Sequence, residues 1–189
     1  ILSGLVGSEM CIRDSRCFIP PHLAEGARCW GFAVQLYALR SAHNWGIGDF
    51  SDLAALASAA GKAGASFIGL NPLHARHLVQ PDEASPYAPS SRLFLDPLYI
   101  NVGAIEELKD CAEAQSLMAG AAFQAQLAAV RATKLVDYAA VTALKLSVLE
   151  RLFVHFRRHS SGARVAAFAA FKLQGGEALR KFAAFEVLR

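Results

Sequence analysis

The sequence lacks the features that mark several broad classes of protein. None of its apolar runs reaches the roughly 20 residues that a membrane-spanning helix requires. The most apolar stretches, such as Val165–Phe171, are short and alanine-rich, which is typical of buried helix faces. The formal net charge is only +3, and no run of lysine or arginine predicts a surface for nucleic acid or membrane. A membrane protein and a nucleic-acid-binding protein are therefore not expected.

Cysteine is also scarce, and its spacing matches no zinc pattern. The four cysteines are Cys11, Cys17, Cys29 and Cys111. A chain of 189 residues is too long for a small scaffold stapled by disulfides. Reduced thiols in a cytoplasmic protein are the expectation. Hydrophobic residues make up 54% of the chain, which is enough to build a core and too many for a disordered protein.

The first sixteen residues, Ile1–Arg16, show no signature of a targeting segment. They begin without Met and lack the basic start, long apolar stretch and cleavage site of a signal peptide. They have no clear periodicity, and they resemble a non-native leader found at the ends of assembled sequence fragments. We therefore expect residues 1–16 to be a non-native or disordered leader. An ordinary amino-terminal arm is the alternative.

The next part of the chain predicts a strand, a helix and a second strand. Trp30–Leu36 is apolar and aromatic, as in a buried strand, and Ser66–Leu70 is a second apolar run. Between them, Asp49 is placed to cap a helix, with Asp52 in its first turn, and Gly61 and Gly64 are expected to end it. This order is the unit of a parallel sheet, whose strands are buried on both faces. The predicted class is therefore α/β.

A long loop follows, from Asn71 to about Asp96, and we predict that it has no secondary structure of its own. Five of the seven prolines fall in it or directly after it. Because proline fixes φ and lowers the entropy of the free chain, this loop is expected to hold one shape. Loops of this length in compact domains are usually functional. A short extended piece, Leu98–Val102, is predicted after it.

The remainder reads as helices without a further strand. The predicted spans are Ala104–Met118, Ala121–Lys134, Tyr138–His159, Ala163–Leu173 and Glu177–Arg189. The third has a clear apolar stripe at helical spacing, and Gly175 and Gly176 separate the last two. The chain thus divides into an α/β part, residues 17–103, and an incomplete helical subdomain, residues 104–189.

Two clusters of residues suggest a dinucleotide site and a metal site, but their details argue against both. The glycines of Asn44–Asp49 lie too far beyond the first strand for a dinucleotide-binding turn, and Ser51 replaces the third glycine. The turn with its aromatic Trp45 is the preferred reading. His74, with Arg76 and His77, has no evident third metal ligand nearby, so no metal site is assigned. His74 is expected to anchor the loop by a hydrogen bond.

The segment Ala84–Arg92 has the chemistry of a sugar contact. Ser85 supplies a hydroxyl, Tyr87 supplies an aromatic face, and Pro86 fixes one relative to the other. Arg92 is expected to hold the loop to the rest of the domain by hydrogen bonds. A rigid surface loop without a ligand is the alternative. The side chains of the adjacent acids Asp82 and Glu83 are expected to diverge, so they are not assigned as an acid/base pair, and no catalytic carboxylate is assigned in this chain.

Three runs of residues resemble the 4-α-glucanotransferases known as amylomaltases or disproportionating enzymes, in the bacterial maltodextrin branch. The runs are Val34–Ser41 continuing through Asn44–Phe50, Phe67–Ala75, and Ala84–Tyr87 continuing through Ser90–Arg92. Their order and spacing make the resemblance specific. Weaker agreement extends through Val136–Tyr138, Lys145 and Phe182–Glu186. The sequence departs from the family pattern at Ala88, where Ser is frequent, and at Arg76, where an apolar residue is common.

The resemblance implies the first part of a (β/α)8 TIM barrel with a helical insertion, truncated. It implies retaining transfer of α-1,4-glucan segments between maltodextrins, without a metal or cofactor. By resemblance, Ser85 and Tyr87 contact the donor sugar, and Trp45, Asn71, His74, Pro86 and Arg92 shape the surrounding loops. The catalytic carboxylates are expected on later strands, so this chain alone is expected to be inactive. A non-catalytic sugar-binding module and a related α-glucan hydrolase remain alternatives.

Overall fold

The computed structural model describes residues 21–23, 26–81 and 83–188. The predicted leader, Cys11, Cys17, Asp82 and Arg189 lie outside the described residues. Within the described part, a small α/β unit leads into a block of helices. No helix there combines the length and apolar character needed to cross a membrane.

The predicted strand–helix–strand unit is present. Strand β1 (Gly31–Val34) and strand β2 (Phe67–Leu70) pair in parallel, with Gly31 opposite Phe67 and Val34 opposite Leu70. Helix α1 (Phe50–Lys62) connects them. Both strands are shorter than predicted; β1 ends before Leu36 because that residue begins a short 3-10 turn.

The start of α1 follows the predicted capping pattern. The Asp49 carboxylate accepts hydrogen bonds from the backbone N–H groups of Ser51 and Asp52. The Asp52 carboxylate accepts one from the Asp49 N–H, which completes a capping box. Three backbone N–H groups at the start of the helix are thereby paired, so α1 begins at a fixed residue after a long loop.

The prediction that both strands are buried on both faces is wrong for the described residues. Phe32 on β1 is 38% exposed, and Phe67 on β2 is 53% exposed. The physical reason is that the sheet formed by these residues has only two strands, so its apolar side chains have few neighbours. Burial on both faces requires further strands or helices beside them.

The prediction of a structureless loop over residues 71–96 is also wrong. Strand β3 (His74–Ala75) pairs antiparallel with strand β4 (Ser91–Leu95), with a register irregularity between the two residues of β3. The chain after β2 therefore forms a hairpin whose tip carries the proline-rich segment. A strand of two residues is too short to show an alternating pattern, which explains why the sequence did not predict it.

The piece Leu98–Val102 is not extended as predicted. It contains two short 3-10 turns, Pro97–Tyr99 and Val102–Ala104. The Asp96 carboxylate accepts from the Leu98 N–H, and the Asn101 side-chain oxygen accepts from the Gly103 N–H. These local side-chain caps compete with an extended backbone and close each turn.

The helical block begins later than predicted. A 3-10 turn (Glu106–Lys109) precedes α2 (Ala112–Ala119), where one helix from Ala104 was predicted. Helices α3 (Ala121–Ala132), α4 (Tyr138–His159) and α5 (Gly162–Leu188) follow. The bounds of α4 are as predicted. Within α5, Gly176 has a φ of +52°, which interrupts the helix at the predicted glycine pair.

Helix α4 supplies one wall of the core. Its fully buried face contains Val141, Leu144, Lys145, Val148 and Leu152. These pack with residues from the strand ends and 3-10 turns, including Leu36, Ile47, Leu98 and Val102. The core therefore lies between the α/β unit and the helices, so the loops that follow β1 and β2 are packed against α4.

Candidate functional site

The two loops that carry the predicted site residues follow strands whose ends lie side by side. Because β1 and β2 are parallel neighbours, the segments after Val34 and after Leu70 leave the sheet at the same edge. In α/β proteins the carboxyl edge of parallel strands is where ligand sites are usually built. The topology therefore brings the Trp45 turn and the proline-rich hairpin to one side of the molecule.

Asn71 ties these two strand ends together. Its side-chain oxygen accepts a hydrogen bond of 2.7 Å from the backbone N–H of Leu36, which follows β1. Its amide nitrogen donates to the Pro72 carbonyl at 2.8 Å and to the Tyr99 hydroxyl at 3.3 Å. Asn71 is buried, so these bonds are made away from water. A single side chain thus fixes where both loops depart from the sheet.

Trp45 is part of a packed turn and is not accessible to a ligand. The Trp45 side chain is buried, and its ring meets Phe123 of α3 edge-on, with 5.4 Å between ring centroids. Gly46 has a φ of +78°, and a Cβ there would lie 2.5 Å from the Val130 carbonyl oxygen. Arg131 of α3 donates to the Asn44 carbonyl at 2.7 Å. Trp45 is therefore placed to shape the turn.

The same turn is held to the start of α1 by polar contacts. The Asn44 side-chain amide donates to the Asp52 carboxylate at 2.8 Å and to the Leu39 carbonyl at 3.2 Å. Partial burial by itself raises the pKa of Asp52, but hydrogen bonds from Ser41, Asn44 and the Asp49 backbone outweigh it and lower that pKa. Asp52 is therefore an ionised structural carboxylate.

Ser85 and Tyr87 lie at the exposed tip of the β3–β4 hairpin. The Tyr87 side chain is 73% exposed, and its backbone N–H approaches the Ser85 hydroxyl oxygen at 3.4 Å. The Ala88 N–H donates to the Ser85 carbonyl at 3.2 Å, which closes a turn around the half-buried Pro86. The tip therefore presents an aromatic face and a hydroxyl to solvent from one turn. Such a pair can contact the C–H face and the hydroxyl groups of a sugar.

The base of the hairpin contains a buried ion pair that sequence reasoning missed. Arg76 Nε donates to Asp96 Oδ2 at 2.5 Å, and both side chains are almost fully buried. The guanidinium lies 4.2 Å from the ring centroid of Tyr138, the first residue of α4. Ser90 closes the base, because its N–H donates to the Ala75 carbonyl at 2.8 Å. Arg76 and Asp96 are twenty residues apart, and no local pattern signals their pairing.

The two other predicted loop-shaping residues have different surroundings. His74 lies on β3 and is half-buried, and Arg92 lies on β4 and is exposed. No side-chain hydrogen bond or ion pair of His74 or Arg92 is found within the described ranges. Loop-holding contacts of the kind predicted for Arg92 are made by Arg76.

Lys145 of α4 is a second buried charge near the hairpin base. Its Nζ donates to the Leu98 carbonyl at 2.6 Å and to the Ile100 carbonyl at 2.9 Å. Burial lowers the pKa of Lys145 to about 8, against the opposing fields of Asp49, Asp96 and Asp52. Burial also raises the pKa of Tyr138 to about 12. Burial of Lys145 could have been predicted from the sequence, because this residue lies on the apolar stripe of α4.

The described carboxylates form no catalytic pair at the hairpin tip. Asp49, Asp52 and Asp96 are engaged in caps or ion pairs, and Glu83 is exposed. Among the described residues no group of three or more His, Cys, Asp or Glu side chains is placed to hold a metal ion. The described carboxylates Asp49, Asp52 and Asp96 therefore have structural roles.

Comparison with known proteins places the chain in a family. A family described as 4-alpha-glucanotransferase matches residues 34–189. A 4-alpha-glucanotransferase of Haemophilus influenzae is 42% identical over 183 residues, which is 95% of this chain and 26% of the relative. One from Mycobacterium tuberculosis is 42% identical over 172 residues, covering 87% of this chain and 23% of the relative.

A solved structure agrees with these relatives. The crystal structure of amylomaltase from Corynebacterium glutamicum superposes with a TM-score of 0.70 and 34% sequence identity, covering 82% of this chain and 21% of that one. The chain belongs to the 4-alpha-glucanotransferase family. It spans about a quarter of the length of the curated relatives it matches.

Proposed function

We propose that this chain is the substrate-side part of a longer enzyme that transfers α-1,4-glucan segments between maltodextrins. The observation that carries the proposal is the exposed Ser85–Tyr87 turn at the carboxyl edge of two parallel strands, in a member of the 4-alpha-glucanotransferase family. In this proposal β1 and β2 are the first strands of a (β/α)8 barrel, and the helical block is an insertion. Donor and acceptor are both α-glucans, and the enzyme is cytoplasmic.

The proposed chemistry divides the work between this chain and later residues. A retaining transfer needs two carboxyl groups about 5–5.5 Å apart, one as nucleophile and one as acid and then base. The described carboxylates form no such pair at the hairpin tip, so we place both groups on later parts of the longer enzyme. The contribution of this chain is to bind: the Tyr87 ring packs on a sugar face, and the Ser85 hydroxyl bonds to a sugar hydroxyl.

A product assay tests the reaction. The full-length gene product carrying this segment is incubated with maltotriose, and the products are separated by size. Transfer gives glucose together with maltodextrins longer than maltotriose. Shorter products without any longer ones would instead identify a hydrolase. No turnover, together with saturable maltodextrin binding, would identify a binding module. The 189-residue chain alone is expected to show no turnover.

Substitutions at the hairpin tip test the binding role. Tyr87→Ala removes the exposed ring and is expected to lower kcat/KM at least tenfold, which corresponds to about 1.4 kcal/mol. Tyr87→Phe keeps the ring and is expected to lose much less. Val79→Ala is the matched control, because Val79 is an exposed apolar residue of the same hairpin. Equal effects of Tyr87→Ala and Val79→Ala would contradict the sugar contact.

A further inference from the structure

We infer that Arg76 is a positioning residue that holds the hairpin carrying Ser85 and Tyr87 in its binding conformation. The inference rests on the proposed function for its consequence in catalysis. Its structural basis is the buried pair of Arg76 with Asp96 beneath that hairpin. Arg76 is not expected to touch the substrate, because it is buried at the base while the tip is exposed.

The pair closes the hairpin from inside. Arg76 directly follows β3 at the loop side of the hairpin, and Asp96 directly follows β4 at its open end, so the pair joins the two strands across their short ladder. Outside this pair, Ser90 joins the same strands: its N–H donates to the Ala75 carbonyl, and its hydroxyl bonds to the Ala75 and Arg76 carbonyls at 3.2 Å. The pair and the Ser90 bonds therefore lie at the stem of the loop formed by residues 77–89, within which Leu78 also packs against the core.

The same pair connects the hairpin to helix α4. The guanidinium of Arg76 lies over the Tyr138 ring at the first turn of α4. Asp96 Oδ1 accepts from the Leu98 N–H at 2.9 Å, and the carbonyl of Leu98 accepts from Lys145 of α4. The hairpin base is thus fixed to α4 at two points. Motion of the tip relative to the strand ends is restrained by these contacts.

Stability alone is a weak reason for such a pair. The desolvation of two buried charges offsets most of their attraction, and apolar residues of similar size often serve stability as well. Arg76 Nη1 is moreover buried without a hydrogen-bond partner among the described residues, so the pairing is incomplete. The pair does fix the orientation of the Arg76 guanidinium. Its Nε–H bond to Asp96 and its contact with the Tyr138 ring together define the position of the hairpin base.

The test uses the full-length enzyme and removes both charges together. In the double variant Arg76→Met with Asp96→Asn, neither member of the pair is left as an unpaired charge, and the Asn oxygen can still accept from the Leu98 N–H. Glu107→Gln with Arg164→Met is the matched control. That second arginine–carboxylate pair, at 2.6 Å, joins the helical block away from the hairpin. Arg76→Lys keeps the charge but not the planar guanidinium.

Two readouts separate positioning from general stability. If the hairpin is in its binding conformation for only about a tenth of the time, KM for maltotriose rises about tenfold. We expect kcat to change less than about threefold in the Arg76→Met/Asp96→Asn variant, with an intermediate KM for Arg76→Lys and no change in the control. Hydrogen exchange of peptides covering residues 77–90 should quicken about tenfold, while that of α4 stays unchanged.

Other outcomes overturn the inference. An unchanged KM and unchanged exchange over residues 77–90 would show that the pair does not order the hairpin. Faster exchange in α4 as well, or an equal change in the control, would assign the pair a structural role only. If the enzyme does not act on maltotriose at all, the proposed function fails, but the exchange measurement still decides whether Arg76 orders the hairpin.

Discussion

Lys145 makes the stability of this protein depend on pH in an unusual direction. Its amine is almost fully buried and donates to the Leu98 and Ile100 carbonyls. Burial lowers its pKa from 10.5 to about 8. A neutral amine keeps two N–H donors, so both carbonyl contacts survive deprotonation. The folded state therefore releases this proton at a lower pH than the unfolded chain does.

The sign and size of the effect follow from proton linkage. Between about pH 8 and 10.5 the unfolded chain holds the Lys145 proton and the folded chain does not, so stability rises with pH. Below about pH 8 both states are protonated, and the cost of the buried charge is fully present. A pKa lowered from 10.5 to about 8 corresponds to a gain of roughly 2–3 kcal/mol in the free energy of unfolding between pH 7 and pH 10.

The assay compares the wild-type chain with Lys145→Met. Guanidinium unfolding is followed by the fluorescence of Trp45, which is buried against Phe123. Because every other titrating group is common to both chains, the difference between their unfolding free energies isolates Lys145. That difference should grow in favour of the wild type by roughly 2–3 kcal/mol from pH 7 to pH 10.

Lys134→Met removes an exposed lysine and should leave the wild-type pH dependence intact. Parallel curves for wild type and Lys145→Met across pH 7–10 would refute the reasoning, because they would mean that the buried amine has the same affinity for protons in both states.

Four further substitutions are predicted to change stability, each measured as the shift in guanidinium unfolding at pH 7. Gly48→Ala places a Cβ 2.0 Å from the Leu36 carbonyl oxygen and should destabilise the fold by about 3 kcal/mol or more. Gly61→Ala, at an open position of helix α1, should stabilise the fold by about 0.5–1 kcal/mol. Equal effects of the two substitutions would contradict the close approach at Gly48. Asn71→Ala leaves the buried backbone N–H of Leu36 unpaired and should lower the free energy of unfolding by about 2–3 kcal/mol. A loss below about 1 kcal/mol would argue against Asn71 as the residue that joins the two strand ends. Asp49→Ala removes the cap of α1 and should cost about 1–2 kcal/mol, with faster hydrogen exchange confined to the first turn of that helix; an unchanged first turn would count against the cap.

The parts of the fold that the sequence predicted are those with local signals. The α1 cap needs only Asp49 and Asp52, three residues apart, and α4 shows its apolar stripe at helical spacing. The parallel pair followed from two apolar runs on either side of a helix. The hairpin and the Arg76–Asp96 pair depend on contacts between residues distant in sequence, and no local pattern reports those.

The candidate site shows the same division. The chemistry of Ser85 and Tyr87 could be read from residue types, and their exposure at a turn agrees with a binding role. The residue that holds the loop in place could not be predicted from residue types alone. Arg92 was expected because it lies in the motif, whereas the buried contact is made by Arg76, at a position where the family pattern is commonly apolar. Burial, which sequence alone does not give, distinguishes the two arginines.

The arrangement also explains how a long segment after a short strand can stay ordered. Residues 71–102 contain few backbone ladder bonds, since β3 has only two residues. Buried side chains replace them: Asn71 binds the end of β1, Arg76 binds Asp96, and Lys145 binds the carbonyls that follow. Each of these side chains leaves a buried polar group unpaired if it is removed, so the contacts favour one conformation over its alternatives. Under the proposed function, a rigid base of this kind would let the tip expose Tyr87 without the entropy cost of ordering it when a sugar binds.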